Sequence, residues 1–454
     1  MKLSLFTFAR TILSGTAAVL LATAVSCSEE PAAPLPEEDS PEQEEDSAIM
    51  AEPQAIPLDI DLISDRPYIA AYNEFAANLY KKLSAKRDSQ EENLFVSPYS
   101  VATVLGIMAN GADGATREEI VKALGYEDFD LQTVNAFNAH LAKEFSSVDP
   151  FTTMSLSNAA WFHNTLDVKA DFLKSCTESY GMDAKTVDLY SNSTLNEINA
   201  WAKEKTNGLI DKLLDHPLSY PDLMCIANAI YFQAPWRCDY DLSTGEEILF
   251  FKKEDSHEGT FHNVDGTTST VTMMHGFVPN CFGTGLEKGL VLRIPFGQGN
   301  YNFYFVYPDE GYTIAELIEE YSGANLHAWQ NYIEGQTNRT VNLTIDMPRF
   351  DIASDMDNLR DALSELGIVR AFTPGMAEFS NITNQELCIS LLKQKSFLKL
   401  NEDGAEIGAI TGELGYGMGI PPDDFEVEIN RPFGFFISEV FTETVLFMGE
   451  VNKL

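Results

Sequence analysis

Asn401-Glu402-Asp403-Gly404-Ala405-Glu406-Ile407-Gly408-Ala409-Ile410-Thr411-Gly412 is the stretch on which the reading of this chain turns. Gly404, Ala405, Gly408, Ala409, Thr411 and Gly412 are small and uncharged, and that leaves two readings. The segment is a loop, flexible because glycine makes it so, or it is a strand of small residues. As a strand, its period of two puts Ala405, Ile407, Ala409, Thr411 and Glu413 on one face. On that face Ile407 is bulkier than the alanines and threonine beside it, and a buried Glu413 without a partner would cost several kcal/mol.

Working outward, Phe433 to Val440 and Thr444 to Val451 read as a β-hairpin turning at Thr442-Glu443, which packs the C-terminus into a sheet. Val341, Leu343, Ile345 and Met347 alternate with polar residues, as in a half-buried strand. Met224 to Phe232 is nearly continuous apolar sequence between Pro221 and Pro235, short enough for a strand buried on both faces. Toward the N-terminus, Tyr68, Tyr72, Phe75, Leu79 and Leu83 recur at steps of four and three, with Lys81, Lys82 and Lys86 at the end where a helix dipole favours cations. Ser97-Pro98 caps and opens a second helix through Ala109, ended by Gly111 and Gly114. Thr116 and Glu119 are spaced as a capping box for a short third helix that stops near Gly125. A mixed helical region follows to Leu214. The pattern predicts one α+β domain over 61–454, with antiparallel sheets and with helices concentrated in the first half.

The 454 residues are 44% apolar and carry a formal net charge of -39, so the chain can bury a large core but lacks the clustered cations that phosphate recognition needs. Nucleic acid is excluded as a partner, and basic partners are favoured. Residues 1–26 have a basic start at Lys2 and Arg10 and an apolar run from Ala17 to Val25, the pattern of a secretion signal too short to span a membrane comfortably. Residues 27–60 read as an acidic, Pro-rich tether that cannot bury enough surface to fold. Ala24-Val25-Ser26-Cys27 resembles a bacterial lipobox, which would make Cys27 the lipidated residue and the protein an outer membrane lipoprotein. Ser28-Glu29-Glu30 resembles an export signal to the cell surface or extracellular side; the periplasmic face is the alternative.

Cys176, Cys225, Cys238, Cys281 and Cys388 show no CxxC spacing and read as buried structural thiols. His257-Glu258 and His262 are five apart, whereas a helix needs four to put two ligands on one face, so no metal is expected. Gly283, Gly285 and Gly289 miss the dinucleotide spacing, no GxSxG elbow occurs, and no cofactor is called for.

Several ordered blocks resemble motifs of the serpin family. They are Asn93-Leu94-Phe95-Val96-Ser97-Pro98-Tyr99-Ser100 with Gly111-Ala112 and Thr116; Ile198-Asn199-Ala200-Trp201 with Thr206 and Ile210; Asn228-Ala229-Ile230-Tyr231-Phe232 with Trp236; and Met347-Pro348-Arg349-Phe350 with Leu363, Leu366-Gly367-Ile368, Phe372 and Phe379-Ser380. Asn401 to Glu406 resembles the family's hinge, and Asn430-Arg431-Pro432-Phe433 through Leu446-Phe447-Met448-Gly449 its C-terminal signature. The resemblance implies three β-sheets, eight to nine helices and an exposed reactive-centre loop between Glu402 and Phe425.

It also implies a suicide-substrate inhibitor, not an enzyme, and a monomer. The scissile residue of inhibitory serpins lies sixteen positions after the hinge glutamate, so counting from Glu402 gives Met418, with Gly419 following. Ile420-Pro421-Pro422 resembles the sequence after the scissile bond of elastase-directed members. An unbranched apolar methionine suits elastase-like, cathepsin-G-like or chymotrypsin-like serine proteases, with cysteine proteases as a further target, and offers no charge to a trypsin-like pocket. Tyr416 and Leu414 are alternative scissile residues. The target would be held as a covalent acyl complex while the hinge, Glu402, Gly404, Ala405, Glu406, Ile407, Gly408, Ala409, Ile410 and Thr411, enters the main sheet. The shutter would comprise Ser97, Ser100, Asn228 and Gln394, the last replacing a histidine, and the breach Trp236. Ile407 and Glu413 keep open the alternative of a non-inhibitory serpin that binds a ligand or partner.

Overall fold

A computed structural model describes residues 50–51, 54–87, 89, 92–241, 247–335, 341–356, 358–389, 392, 394–405 and 425–454. The first half holds strands β1 (Met50–Ala51), β2 (Leu94–Val96), β3 (Thr153–His163) and β4 (Met182–Val187) and helices α1 (Leu62–Ala85), α2 (Pro98–Gly111), α3 (Gly114–Ala123), α4 (Leu131–Phe145), α5 (Ala170–Tyr180) and α6 (Asn192–Lys205). Then come β5 (Met224–Pro235), β6 (Cys238–Asp241), β7 (Glu247–Leu249), β8 (His257–His262), β9 (Thr268–Gly285), β10 (Gly289–Phe296) and β11 (Tyr301–Pro308). Helices α7 (Ile314–Ile318) and α8 (Gly323–Gly335), strands β12 (Val341–Pro348) and β13 (Phe350–Asp355), and helix α9 (Leu359–Glu365) precede the last five strands. These are β14 (Lys395–Asn401), β15 (Gly404–Ala405), β16 (Phe425–Glu428), β17 (Phe433–Glu439) and β18 (Val445–Val451).

The strands form three sheets, as expected: a six-stranded sheet in the order β13-β14-β15-β5-β3-β4, a nine-stranded sheet running β16-β12-β9-β10-β11-β17-β18-β2 with β8 on β9, and a small β1-β6-β7 sheet. The expected helices are present, with α1 starting six residues before Tyr68 because Asp61 accepts from the Ile63 and Ser64 amides and caps it. The C-terminal hairpin pairs Phe433 with Val451 and turns through Glu443 at φ 60°.

Two expectations fail in detail. The third helix is capped by Asp113, not by Thr116. The Thr116 hydroxyl instead accepts from the Glu378 amide, and the Glu119 carboxylate accepts from the Val369 and Arg370 amides, so tertiary partners outcompete the local box. The region read as mixed helical also contains β3, an eleven-residue strand between β5 and the edge strand β4 of the six-stranded sheet. Ser155, Ser157, Asn158, Ala159 and Ala160 give it too little apolar contrast for its period of two to show.

The described end of the acidic N-terminal segment lies against the domain. Asn300, buried behind it, accepts from the Ile56 amide at 2.9 Å and donates to the Ile56 carbonyl at 2.7 Å, while Leu58 and Ile60 pack on the core. No disulfide joins any of the five described cysteines; Cys176, Cys225 and Cys281 are buried, and burial pushes the Cys176 and Cys225 thiols up to about 12. Among the described residues no helix is long and apolar enough to cross a membrane, and His257 and His262 lie on strand β8 rather than on a helix.

Candidate functional site

The site is the slot between β14 and β5 in the six-stranded sheet. Among the described residues these two strands share no ladder of their own: β15 stands between them, pairing Leu400 with Ala405 and Asn401 with Gly404 on one side, and Gly404 with Pro235 and Ala405 with Ala234 on the other. Gly404 and Ala405, expected in the hinge, therefore form a strand. The chain can enter here only because residue 404 is glycine, since its φ is 122° and a Cβ would sit 2.1 Å from the Ala234 carbonyl oxygen. Ala405 follows with no exposed surface, where a larger side chain would meet packed neighbours.

At this upper end of the slot the turn between β14 and β15 is clamped by charge. The Glu402 side chain is 1% exposed and its two oxygens lie 2.6 and 2.7 Å from Arg349 Nη2. Ser256 donates its hydroxyl to the same carboxylate at 2.5 Å. Burial alone would raise the Glu402 pKa, but the Arg349 and Ser256 bonds outweigh it and hold the group below its ordinary value. Lys253 pairs with Asp403 at 2.6 Å. Trp236 completes the grip: its indole N–H donates to the Asn401 carbonyl at 2.8 Å, its backbone N–H to the Asp403 carbonyl, and its ring stacks on Phe296 at 4.6 Å.

Deeper in the slot the groups are neutral. Gln394 accepts from the Ser97 amide at 3.2 Å and donates to the Ser97 carbonyl at 3.0 Å, so the amide keeps both a donor and an acceptor role where a histidine was expected. The Ser97 hydroxyl donates to the Leu446 carbonyl and accepts from the Ser100 amide. Ser100 donates to Asn228, Asn228 to Asn158 at 2.7 Å, and Asn158 to the Tyr180 carbonyl at 2.7 Å. The relay ties α2, β5, β3 and α5 together beneath the slot.

Of the five residues expected at shutter and breach, Gln394, Ser97, Ser100 and Asn228 are joined by hydrogen bonds at the deeper end, while Trp236 stands at the entry against Asn401 and Asp403, next to Glu402, Gly404 and Ala405. Glu406, Ile407, Gly408, Ala409, Ile410, Thr411, Glu413, Leu414, Tyr416, Met418, Gly419 and Cys27 lie outside the described residues. Sequence reasoning missed Ser256, Lys253 and Asn158, and it quoted Arg349 without a role. Arg349 had a signal in its position directly after an alternating strand; Asn158 had none once β3 went unrecognised.

A sequence profile described as serpin (serine protease inhibitor) matches residues 70–454, and the chain belongs to the serpin family. Iripin-5 of Ixodes ricinus is 30% identical over 85% of this chain and 94% of its own length, and an uncharacterised serpin-like protein of Thermococcus kodakarensis is 31% identical over 85% and 86%. The thermophilic serpin tengpin in its native state superposes with a TM-score of 0.75 at 27% identity, covering 89% of this chain and 98% of tengpin. Human thyroxine-binding globulin shares the fold, with a TM-score of 0.73 at 24% identity over 85% of this chain and 98% of its own.

Proposed function

We propose that this protein is a suicide-type inhibitor of elastase-like, cathepsin-G-like or chymotrypsin-like serine proteases, with Met418–Gly419 as the bait bond. The observation that carries the reading is β15: two small residues seated as a strand between β14 and β5, which share no ladder below them among the described residues. The target serine attacks the Met418 carbonyl and forms an acyl-enzyme, as with any substrate. Cleavage frees the segment after Ala405 to continue the strand that β15 begins. About a dozen added residues, each gaining a ladder hydrogen bond worth about 1 kcal/mol net plus burial, release more than ~10 kcal/mol. The intact protein is then held by a kinetic barrier rather than by equilibrium. The protein acts as an inhibitor, not a catalyst, and works as a monomer.

The N-terminal sequence supports an outer membrane lipoprotein acylated at Cys27 and facing the cell exterior. Metabolic labelling with an alkynyl fatty acid tests it: wild type takes the label and Cys27→Ala does not. The inhibitory reading is tested by incubation with neutrophil elastase, cathepsin G and chymotrypsin. An SDS-stable complex and a fragment mass set by cleavage after Met418 are expected; cleavage with full release of active protease refutes it. That second outcome would favour the non-inhibitory alternative, which Ile407 and Glu413 support.

A further inference from the structure

We infer that the described end of the N-terminal segment, residues 54–60, is a proton-linked strap: it lies closed over Glu439 while that side chain is an acid and is released as the carboxylate ionises. Its closure involves neither the bait bond nor the slot, so it stands apart from the inhibitory reading.

Glu439 ends β17 and has no exposed surface, and neither has Asn300 beside it. A carboxylate so placed is costly unless a cation or strong donors meet it. The donors that meet this one are neutral. Oε1 accepts from the Phe441 amide at 3.2 Å, Oε2 accepts from the Thr442 amide at 2.8 Å and the Thr442 hydroxyl at 2.7 Å, and the Asn300 side chain makes a further contact. Asn300 is the link to the strap. Its amide oxygen accepts from the Ile56 N–H and its amide nitrogen donates to the Ile56 carbonyl, so one buried side chain touches both the carboxylate and the strap backbone. The strap itself is lightly held. Residues 54–60 form no helix or strand and none of them is fully buried; side chains grip the backbone, Asn300 at Ile56 and Glu144 at the Asp59 amide. Such a segment opens at far lower cost than the sheets behind it.

Other charged or titratable groups lie around this site. Tyr301 is the register partner of Glu439 on β11, and its hydroxyl donates to the Phe145 carbonyl. Asp149 holds the Gln298 amide in the turn leading to Asn300, and the Arg237 guanidinium lies against that turn at Gly299. Glu443, in the hairpin turn, pairs with Arg66 and His327, and Glu144, on the strap side, is 3.7 Å from His140.

Burial pushes the Glu439 carboxyl up from the ordinary 4.5 to about 7, against the pull of its Thr442, Phe441 and Asn300 donors. Closed, the group keeps its proton to near neutrality; opened to water, it gives the proton up near its ordinary value. Opening therefore releases a proton. It becomes easier as pH rises from about 4.5 to about 7, and changes no further above that. Glu402, whose pKa is lowered, titrates below this window.

Amide hydrogen exchange on the intact full-length protein reads the strap. Protection of the Ile56 and Asp59 amides, corrected for the intrinsic pH dependence of exchange, is compared at pH 5.0 and pH 7.5 relative to β12. Wild type should be ~10-fold or more better protected at the lower pH. Glu439→Gln, neutral at both, should lose that ratio and stay protected at pH 7.5. A ratio that persists in Glu439→Gln belongs to His140 or another neighbour and overturns the strap, as does the lack of a ratio in wild type. Linkage supplies a reciprocal readout. With glutamate labelled at the carboxyl carbon, one resonance should titrate near neutral pH in wild type. Ile56→Pro removes the N–H that Asn300 accepts and should lower that midpoint by about one pH unit or more, toward the ordinary glutamate value. A midpoint that Ile56→Pro leaves in place overturns the strap even where Glu439→Gln does not fold.

Discussion

The two ends of the slot between β14 and β5 are built from different chemistry. The upper end, where the hinge enters, is gripped by ion pairs, Glu402 with Arg349 and Asp403 with Lys253, and by the Trp236 indole on the Asn401 carbonyl. The lower end is closed by amides and hydroxyls, Gln394, Ser97, Ser100, Asn228 and Asn158, none of which titrates near neutral pH. Charge at the entry can be loosened by acid or salt, whereas a neutral network under the slot resists both. On the inhibitory reading, the protein separates a condition-sensitive grip at the entry from a condition-insensitive hold on the strands beside the slot.

Cleaving the loop tests the slot itself and carries the largest effect. Insertion worth more than ~10 kcal/mol should raise the unfolding midpoint by roughly 12 °C or more, read by calorimetry of intact and nicked protein. An unchanged midpoint would mean that nothing enters the slot. Trp236→Ala comes next, at about 3–5 kcal/mol in chemical denaturation, because it removes a buried ring stacked on Phe296 together with the cap on Asn401. Trp236→Phe should recover most of that loss.

Arg349→Met strands the Glu402 carboxylate and should cost about 2 kcal/mol at pH 7, less than a fully buried pair because Arg349 is 43% exposed. The sign of the acid limb follows from the lowered Glu402 pKa. Its contribution is complete above the ordinary glutamate value of about 4.3 and disappears as pH falls through the lower folded-state value. Glu402→Gln should abolish that limb; an unaltered acid profile would show that the entry is not held by charge. The smallest effect sharpens the contrast from the other side. Gln394→His places a titratable ring in the neutral end, where burial favours its uncharged form, so about 1 kcal/mol of stability should vanish as pH falls below about 6.5. Wild type should show no such step from this position.

Much of this architecture is legible in the sequence because its signals are local. The apolar run of β5, the alternation of β12 and the Ser97-Pro98 start of α2 each satisfy a period or a cap within a few residues, and all three stand where those patterns put them. The ordered family blocks single out Ser97, Ser100, Asn228, Gln394 and Trp236 through sequence alone. Strand β3 escapes notice because serines and alanines blur its alternation, and with it goes Asn158, whose only meaning is its place opposite Asn228.

Local motifs taken in order were enough to point to the family and, through that resemblance, to the three-sheet plan. Long-range packing alone made a strand of Gly404 and Ala405, brought Arg349 and Ser256 to Glu402, and turned Thr116 and Glu119 toward distant amides instead of their own helix. The reason is physical: a polar group withdrawn wholly or partly from water is satisfied by whichever partner the folded chain brings within hydrogen-bond reach, and for the side chains of Glu402, Thr116 and Glu119 that partner lies between 53 and 262 positions away.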